Sequence, residues 1–219
     1  MPKTKIMDFI NKDIMNYVVN NSEDEPQLLQ ELARETYQKI LQPRMLSGHP
    51  QGRILSLLSK IIKPKRILEI GTYTGYGTIC LAEGLSVDGK IITIDKNEEI
   101  IDFQNKYFEK SGYRDKIIQL NGDALNLIET LDDKFDIVFL DADKENYIKY
   151  YKSVSDKIVK GGILISDNVL WSGKVLDQSK SSDLETEILN KFNKLLKNDK
   201  KFETVIIPIR DGVSISRLI

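Results

Sequence analysis

Residues 66–82, RILEIGTYTGYGTICLA, form the stretch that decides the fold. An apolar, strand-forming run leads into Gly71, Gly75 and Gly77, and a helix-forming segment follows. Glycines at a strand-to-helix turn carry no Cβ atom, so they let a bound ligand approach the backbone closely. The stretch therefore predicts a nucleotide-type binding loop.

The spacing of these glycines separates two classes of ligand. It is Gly-x-x-x-Gly-x-Gly, whereas dinucleotide pyrophosphates are bound by Gly-x-Gly-x-x-Gly. Glu69 lies two residues before the first glycine, where its carboxylate would repel a phosphate. A cationic nucleoside such as S-adenosylmethionine fits better, and a nicotinamide dehydrogenase is disfavoured.

Short β-rich runs alternate with amphipathic stretches from residue 65 onward. The runs are RILEI, KIITID, KIIQL, FDIVFLD, GGILISD, TVIIPI and VSISRLI. This alternation predicts an α/β fold with a mostly parallel sheet and helices on both faces. Asp211-Gly212 is a hairpin signal, so the sheet should end in an antiparallel pair, with Pro208 at an edge strand or a bulge.

The first 60 or so residues have a helical pattern of apolar positions. These positions include Leu28, Leu29, Leu32, Tyr37, Ile40 and Leu41. With 219 residues, 41% of them hydrophobic, the chain suits one domain: a helical cap over residues 1–62 and a Rossmann-like core over residues 63–219. The polar stretch 172–182 is a candidate lid.

Composition excludes several functions. The net charge of -1 provides no general basic field for nucleic acid. No run of about 18 apolar residues and no apolar signal core are present, so we expect a cytoplasmic protein that does not enter a membrane. A single cysteine, Cys80, and a single histidine, His49, exclude an internal disulfide and the usual zinc sites. Any metal must have oxygen ligands.

Two strand ends are candidates for binding the nucleoside. Asp95 ends the second run, 24 residues after Gly71, close to the spacing at which an acidic residue meets ribose hydroxyls. Gly122-Asp123-Ala124 follows the third run, where it could recognise an adenine edge. The alternatives are a solvated carboxylate for Asp95 and a helix N-cap for Asp123, and the second is compatible with binding.

Asp141 and the pair Asp167-Asn168 follow two runs that should be neighbouring parallel strands. Open α/β sheets bind ligands at this carboxyl edge. Two carboxylates and an amide oxygen suit Mg²⁺, Mn²⁺ or Ca²⁺ better than zinc. The alternative is that these residues only cap helices or form turns.

Lys144 comes three residues after Asp141 and can point back toward it. A lysine beside a divalent cation can serve as a general base, although an exposed helical lysine is the alternative. His49 suits a loop or cap better than catalysis, and Cys80 suits the core. Trp171 and Tyr147 are candidates for an acceptor-pocket wall, with core packing as the alternative and the favoured one for Tyr147.

The segments EIGTYTGYG, DADKENYIKYY, DNVLWSGKV and IPIRDGVSISR together resemble the cation-dependent O-methyltransferases, which include caffeoyl-CoA and catechol O-methyltransferases and bacterial relatives. The resemblance spans residues 45–219. It implies a seven-stranded class I methyltransferase fold and a homodimer. It also implies metal ligation by Asp141, Asp167 and Asn168, with Lys144 as the catalytic lysine. The implied cofactor contacts are Met45, Ser47, Glu69, Gly71, Asp95, Asp123, Ala124 and Asp141. Thr72 and Tyr73 of the glycine loop are further candidates for cofactor binding.

Two departures from the plant members affect what can be transferred. Gly77 stands where those enzymes usually have a serine, so a contact to the methionine carboxylate must come from elsewhere, with Thr78 as a candidate. Ser172 stands where they tend to have asparagine, which weakens any transfer of the caffeoyl-CoA substrate.

The function that we expect is S-adenosylmethionine-dependent methylation of a catechol-like acceptor, in which the metal chelates two adjacent oxygens. One alternative acceptor is a hydroxylated uridine of transfer RNA. A local basic patch could bind it, formed by Lys60, Lys63, Lys65 and Arg66. An alternative of another class is a non-catalytic nucleoside-binding or scaffold protein.

Overall fold

The computed structural model describes residues 10–176 and 183–219. The helices are α1 (Lys12–Asn20), α2 (Gln27–Lys39), α3 (Gly48–Ile62), α4 (Tyr76–Ala82), α5 (Ile101–Ser111), α6 (Ala124–Glu129), α7 (Tyr147–Val154) and α8 (Leu184–Asn198). The strands are β1 (Arg66–Ile70), β2 (Lys90–Asp95), β3 (Ile117–Asn121), β4 (Phe135–Leu140), β5 (Ile158–Ser166), β6 (Phe202–Ile207) and β7 (Val213–Leu218).

The strands form one seven-stranded sheet in the order β3-β2-β1-β4-β5-β7-β6. Strands β1 to β5 are parallel, and β7 pairs antiparallel with both β5 and β6. The predicted mostly parallel sheet with a C-terminal antiparallel hairpin is therefore confirmed. Pro208 follows directly after the edge strand β6, where its missing N–H costs the sheet no hydrogen bond.

Both faces of the sheet are covered, as an apolar strand pattern requires. On one face, Ile67 of β1 belongs to a core that includes residues of α2, α3, α4 and α5. On the other face, Leu68 and Ile70 belong to a core with residues of α6, α7 and α8. The predicted helical cap thus contributes to only one of the two cores.

Several details differ from the sequence prediction. Helix α2 ends at Lys39, so Ile40 and Leu41 lie beyond it, and the side chains of Tyr37 and Leu41 are exposed rather than packed. Strand β5 begins three residues earlier than the predicted run, because its pairing with β4 continues through an irregularity.

The hairpin loop spans residues 208–212, longer than the turn expected from Asp-Gly alone. Of the candidate lid, residues 172–176 belong to short helical turns and 177–182 lie outside the described residues.

Hydrogen bonds between neighbouring strands align the predicted site residues at the carboxyl edge of the sheet. The backbone N–H of Gly71 donates to Ile94 O at 2.9 Å, and that of Asp141 donates to Ile70 O at 2.9 Å. The Asp167 N–H donates to Leu140 O at 3.0 Å. The ends of β2, β1, β4 and β5 therefore lie together at one edge of the sheet. Among the described residues, no helix is both long and apolar enough to cross a membrane.

Candidate active site

A cavity of about 250 Å³, partly open to solvent, lies at this edge. Seven of the residues that the sequence assigns to cofactor binding line it: Met45, Ser47, Glu69, Gly71, Thr72, Tyr73 and Asp141. Asp95, Asp123, Ala124 and Thr78 are not part of this lining. The cavity therefore brings together the glycine loop, the end of β4 and the segment before α3.

Gly71 brings the glycine loop against the end of β4. Its φ of 101° lies in the left-handed region, which favours glycine. A Cβ atom built on Gly71 would collide with the backbone carbonyl oxygen of Asp141. The first glycine is thus required by close backbone packing between the two halves of the site.

Glu69 lies on the floor of the cavity and is 1% exposed. Its Oε2 accepts hydrogen bonds from the hydroxyls of Thr78 and Thr93. Burial raises the pKa of Glu69 to about 8, against these two donors. A Cβ atom on Gly77 would lie 2.9 Å from Glu69 Oε1, so the glycine at position 77 leaves that oxygen sterically open.

The structure does not support the predicted role of Thr78. Its side chain is fully buried and its hydroxyl donates to Glu69, so it is not available to a methionine carboxylate. Thr74 offers a different group, because it lines the cavity and its buried Oγ1 has no hydrogen-bond partner among the described residues. A buried hydroxyl without a partner is unfavourable, and a polar ligand could satisfy it. Sequence reasoning missed Thr74.

Asp95 organises the loop from the end of β2. Its Oδ2 accepts a hydrogen bond from the Tyr73 N–H at 2.7 Å, and its Oδ1 accepts one from the Asn97 N–H at 2.9 Å. Each carboxylate oxygen retains a further lone pair for a ligand. Asp123 caps α6, because its Oδ1 accepts a hydrogen bond from the Asn126 N–H at 3.1 Å. This is the helix N-cap given above as the alternative for Asp123.

Asp141 and Asp167 lie side by side at the ends of β4 and β5. Burial and the neighbouring Asp167 carboxylate raise the pKa of Asp141 to about 6. Asp167 is 2% exposed, and its Oδ1 accepts the Asn168 N–H at 2.7 Å. Asn168 has a left-handed backbone, φ 57°, which turns the chain directly after Asp167.

The oxygen donors of this pair fit a divalent cation. Among the described residues, no three His, Cys, Asp or Glu side chains gather at a common point, so a site here consists of two carboxylates and the Asn168 amide. Asp167 is buried and the Asp141 side chain is 19% exposed. Two carboxylates side by side repel each other, and a bound cation would relieve that repulsion. The predicted set Asp141, Asp167 and Asn168 is thus chemically suited to Mg²⁺ or Mn²⁺.

Lys144 is buried, so the alternative of an exposed helical lysine is wrong. Its side chain is only 8% exposed, and its Nζ lies 3.3 Å from Asp141 Oδ1 and donates to the Tyr147 hydroxyl at 2.7 Å. Tyr147 is fully buried, and its hydroxyl donates to the Asp167 carbonyl oxygen at 2.9 Å. The expected core packing of Tyr147 is confirmed, and the residue also holds Lys144 beside the carboxylates.

Comparison with known proteins identifies the family of this chain. The sequence profile of the O-methyltransferase family matches residues 19–219. A caffeoyl-CoA O-methyltransferase of Petroselinum crispum is 36% identical over 206 residues, which cover 89% of this chain and 85% of the relative. The chain belongs to the O-methyltransferase family. The predicted resemblance and the predicted enzyme class are therefore confirmed.

Solved structures show the same fold. An O-methyltransferase from Bacillus cereus in complex with S-adenosylhomocysteine is 27% identical, with a TM-score of 0.86, 94% of this chain covered and 97% of that one. A methyltransferase from Podospora anserina bound to S-adenosylhomocysteine is 28% identical, with a TM-score of 0.85, 96% of this chain covered and 97% of that one. The protein is an O-methyltransferase with the class I methyltransferase fold.

Gln51 of this O-methyltransferase contacts the Asp167 carboxylate and Arg210 contacts Gln51, and neither was identified as a site residue from the sequence. Gln51 of α3 donates from Nε2 to Asp167 Oδ2 at 2.7 Å, across 116 residues of sequence. Arg210, in the loop between β6 and β7, donates to Gln51 Oε1 at 3.3 Å. Arg210 lies in the segment IPIRDGVSISR that carries the family resemblance, but no local pattern assigns either residue to the site, because each contact depends on the folding of distant segments.

The remaining candidates of this O-methyltransferase do not line the cavity. His49 Nε2 lies 2.7 Å from the Glu23 carbonyl oxygen, and Cys80 is fully buried in the core as expected. Trp171 is partly buried against the core. Lys60 pairs with Glu83.

The basic patch also lies away from the site. Arg66 begins β1, so this part of the patch is at the edge of the sheet opposite the cavity, where Arg66 pairs with Asp133. The patch therefore does not flank the cavity, and nothing in the structure favours transfer RNA as the acceptor.

Proposed function

We propose that this O-methyltransferase transfers the methyl group of S-adenosylmethionine to one hydroxyl of a catechol-like acceptor, with a divalent cation at the carboxyl edge of the sheet. One observation supports this most strongly. Asp141 and Asp167 lie side by side, and the Lys144 ammonium group is 3.3 Å from Asp141 Oδ1. An acidic pair beside a lysine suits a reaction in which an acceptor hydroxyl is bound, oriented and deprotonated.

The cavity supplies polar groups for the methionine end of the cofactor. Glu69 Oε1 suits its ammonium group, and the unpartnered Thr74 hydroxyl suits its carboxylate. The proposed ribose and adenine contacts Asp95, Asp123 and Ala124 do not line this cavity, so the nucleoside would extend beyond it along the sheet edge. Along the same edge, Asp95 would hold the ribose hydroxyls, and Asp123 with Ala124 would contact the adenine. The relatives solved with S-adenosylhomocysteine support a cofactor of this type.

Asp141, Asp167 and Asn168 would hold the cation through oxygen atoms. When bound, a divalent cation lowers the pKa of a coordinated hydroxyl and orients an acceptor that offers two adjacent oxygens. Mg²⁺ and Mn²⁺ suit this task, whereas the larger and more flexible coordination shell of Ca²⁺ would orient the acceptor less well.

Lys144 would remove or hold the proton of the reacting hydroxyl at Nζ. The hydrogen bond from Nζ to the Tyr147 hydroxyl keeps the lysine in place, and burial keeps water away from it. The acceptor oxygen then forms a bond to the methyl carbon as the bond from that carbon to sulfur breaks. S-Adenosylhomocysteine is the product that leaves.

The acceptor class draws support from the relatives, because the Petroselinum crispum protein is named a caffeoyl-CoA O-methyltransferase. Ser172 separates this chain from the plant pattern, so a smaller catechol without coenzyme A is the acceptor that we propose. The homodimer and the cytoplasmic location stay predictions. Light scattering after size-exclusion chromatography would test the first.

The metal requirement is tested by methyl transfer to a panel of catechols. EDTA should abolish transfer, and Mg²⁺ or Mn²⁺ should restore it. Asp167→Ala should lose metal-dependent activity and keep its affinity for S-adenosylhomocysteine, whereas Asp141→Ala should damage both. Asp156→Ala, which changes an aspartate whose side chain is 86% exposed, serves as the matched control. Full activity in EDTA, or an active Asp167→Ala enzyme, would reject the metal mechanism.

A further inference from the structure

The Gln51 side chain joins two groups of opposite charge. It is 1% exposed, its Nε2 donates to Asp167 Oδ2 at 2.7 Å, and its Oε1 accepts from Arg210 Nη1 at 3.3 Å. Both ends of the amide are therefore used inside the protein. Its partners are one of the proposed metal ligands and an arginine from the opposite end of the chain.

The charges of these partners allow only one orientation of the amide. A carboxylate only accepts hydrogen bonds, and a guanidinium group only donates them. If the Gln51 amide were rotated by half a turn, its oxygen would face the Asp167 carboxylate and its NH₂ group would face Arg210. Asp167 and Arg210 therefore favour the same orientation, with the NH₂ group of Gln51 at Asp167, and Arg210 disfavours the rotated one.

Arg210 is itself held in place by the backbone before α3. Its guanidinium group donates to the carbonyl oxygens of Ser47 and Arg44, the second at 3.4 Å. Its backbone has φ 49°, a left-handed conformation at the tip of the hairpin between β6 and β7. Because Ser47 lines the cofactor cavity, the same arginine contacts both the cofactor side and the metal side of the site.

The Asp167 carboxylate is fixed from two sides as a result. Its Oδ2 accepts from Gln51, and its Oδ1 accepts from the Asn168 N–H. Each oxygen keeps a lone pair, so the two hydrogen bonds determine the carboxylate plane without blocking coordination. Hydrogen-bond partners of metal ligands often act in this way, and their loss typically weakens metal affinity or activity by about 10- to 100-fold.

We propose that Gln51 and Arg210 are positioning residues for the divalent cation: Arg210 sets the orientation of the Gln51 amide, and Gln51 orients the Asp167 carboxylate toward the ion. This inference rests on the proposed function, because it assigns Asp167 to the metal. A purely structural role, in which the two residues only tie α3 to the hairpin, makes a different prediction. It would change thermal stability and leave the metal affinity of the folded protein unchanged.

The test measures Mn²⁺ binding to the purified protein by calorimetry and by electron paramagnetic resonance, without acceptor. Gln51→Met keeps the length of the side chain and removes both hydrogen bonds. It should weaken Mn²⁺ affinity by about 10-fold or more. Arg210→Gln should weaken it less, because Gln51 can still donate to Asp167 although Arg210 no longer orients the Gln51 amide. Arg210→Lys retains a donor for Gln51 Oε1 and should recover part of the affinity.

The control is Arg217→Gln. Arg217 belongs to the same hairpin but lies away from the site, and its Nη1 is 3.4 Å from Glu203 Oε2. It should bind Mn²⁺ like the unchanged protein. Turnover should fall in Gln51→Met with little change in KM for S-adenosylmethionine, since Gln51 does not line the cofactor cavity.

The outcomes separate this inference from the proposed function. If the unchanged protein binds no Mn²⁺, the metal mechanism itself is wrong. If it binds Mn²⁺ and Gln51→Met binds it equally well, the positioning role is wrong and the metal site stands. If Gln51→Met does not fold, Arg210→Gln decides, and an unchanged Mn²⁺ affinity in that variant rejects the proposal.

Discussion

The two ends of the active site are built in different ways. The cofactor end consists mainly of one continuous stretch, residues 66–82, in which backbone conformation and missing Cβ atoms shape the cavity. The proposed metal end brings together four separate segments. They are residues 47–51, 141–144, 167–168 and 210, and side-chain hydrogen bonds hold them in place.

This difference determines how each end should respond to mutation. A cavity made by backbone is sensitive to any added side-chain atom, because packed backbones cannot move apart without displacing whole strands. A site made by side chains loses function when one group is removed, while the fold around it is retained. Gly71 packs against the backbone of Asp141, where the two ends meet, so a substitution there should disrupt both ends.

Gly71→Ala should have the largest effect. The new methyl group would collide with the Asp141 carbonyl oxygen, and alanine is strained at a φ of 101°. We expect a loss of about 3 kcal/mol or more in the free energy of unfolding, in the range of severe overpacking combined with backbone strain. Affinity for S-adenosylhomocysteine and methyl transfer should both be lost. Urea denaturation and calorimetry would measure these changes.

Gly112→Ala is the matched control. Gly112 also has a positive φ, 74°, at the end of α5, but a Cβ atom there meets nothing within 4 Å. Its substitution should cost only about 1 kcal/mol of backbone strain and leave the cofactor affinity unchanged. Equal effects of the two substitutions would show that conformational strain, and not contact with Asp141, explains the role of Gly71.

Lys144→Met should affect the metal end alone. It removes the ammonium group beside Asp141 and keeps much of the buried apolar stem. We expect turnover to fall by about 10²- to 10⁴-fold, the usual contribution of a general acid or base. The affinity for S-adenosylhomocysteine should change little. Single-turnover kinetics would check this, and a turnover within a few-fold of the unchanged enzyme would exclude Lys144 as the base.

Much of the fold and of the cofactor end could be predicted because the signals are local. The strand runs, the glycine loop and the Asp211-Gly212 hairpin are readable within windows of a few residues, and all seven strands were found. The pairing of Asp141 with Asp167 followed from a general property of parallel sheets, since the carboxyl ends of neighbouring strands share one edge.

What sequence reasoning missed depends on long-range packing. Gln51 and Arg210 are separated by 159 residues, and only the folded chain brings Arg210 to Gln51 and Gln51 to Asp167. Thr78 was assigned to the cofactor by its position beside Gly77, but the helix turns its hydroxyl toward Glu69. The direction of a side chain on a short helix depends on where that helix packs, which local pattern does not specify.

Asp95→Ala sharpens the comparison at the cofactor end. It removes a carboxylate from the proposed ribose position and two hydrogen bonds to the backbone N–H groups of Tyr73 and Asn97. Hydrogen bonds to charged groups contribute about 1.5–3 kcal/mol, so the affinity for S-adenosylhomocysteine should fall by about 10- to 100-fold. Mn²⁺ affinity should be unchanged. Calorimetry with both ligands measures the two effects, and an unchanged cofactor affinity would remove Asp95 from the site.

The last comparison concerns the pH dependence of stability at Glu69. Its pKa in the folded protein is about 8, raised by burial from an ordinary value of 4.5, so folding favours the protonated form. The stabilisation is therefore complete below about pH 4.5 and is lost as the pH rises toward 8. Glu69→Gln does not titrate. Over this window the variant should gain stability relative to the unchanged protein, by at most about 1.4 kcal/mol per pH unit.

Urea denaturation at about pH 5.5, 6.5 and 7.5, which lie inside this window, measures the effect. Glu83→Gln is the contrasting control, because the pKa of Glu83 is lowered to about 2 by hydrogen bonds from Arg53 and Lys60 that outweigh its burial. Glu83 contributes stability above the unfolded value of 4.5 and loses it as the pH falls toward 2, so its contribution stays constant over the measured range. If the Glu69→Gln difference were equally constant, Glu69 would be ionised throughout, and the cofactor end would hold a permanent negative charge instead of one that appears as the pH approaches 8.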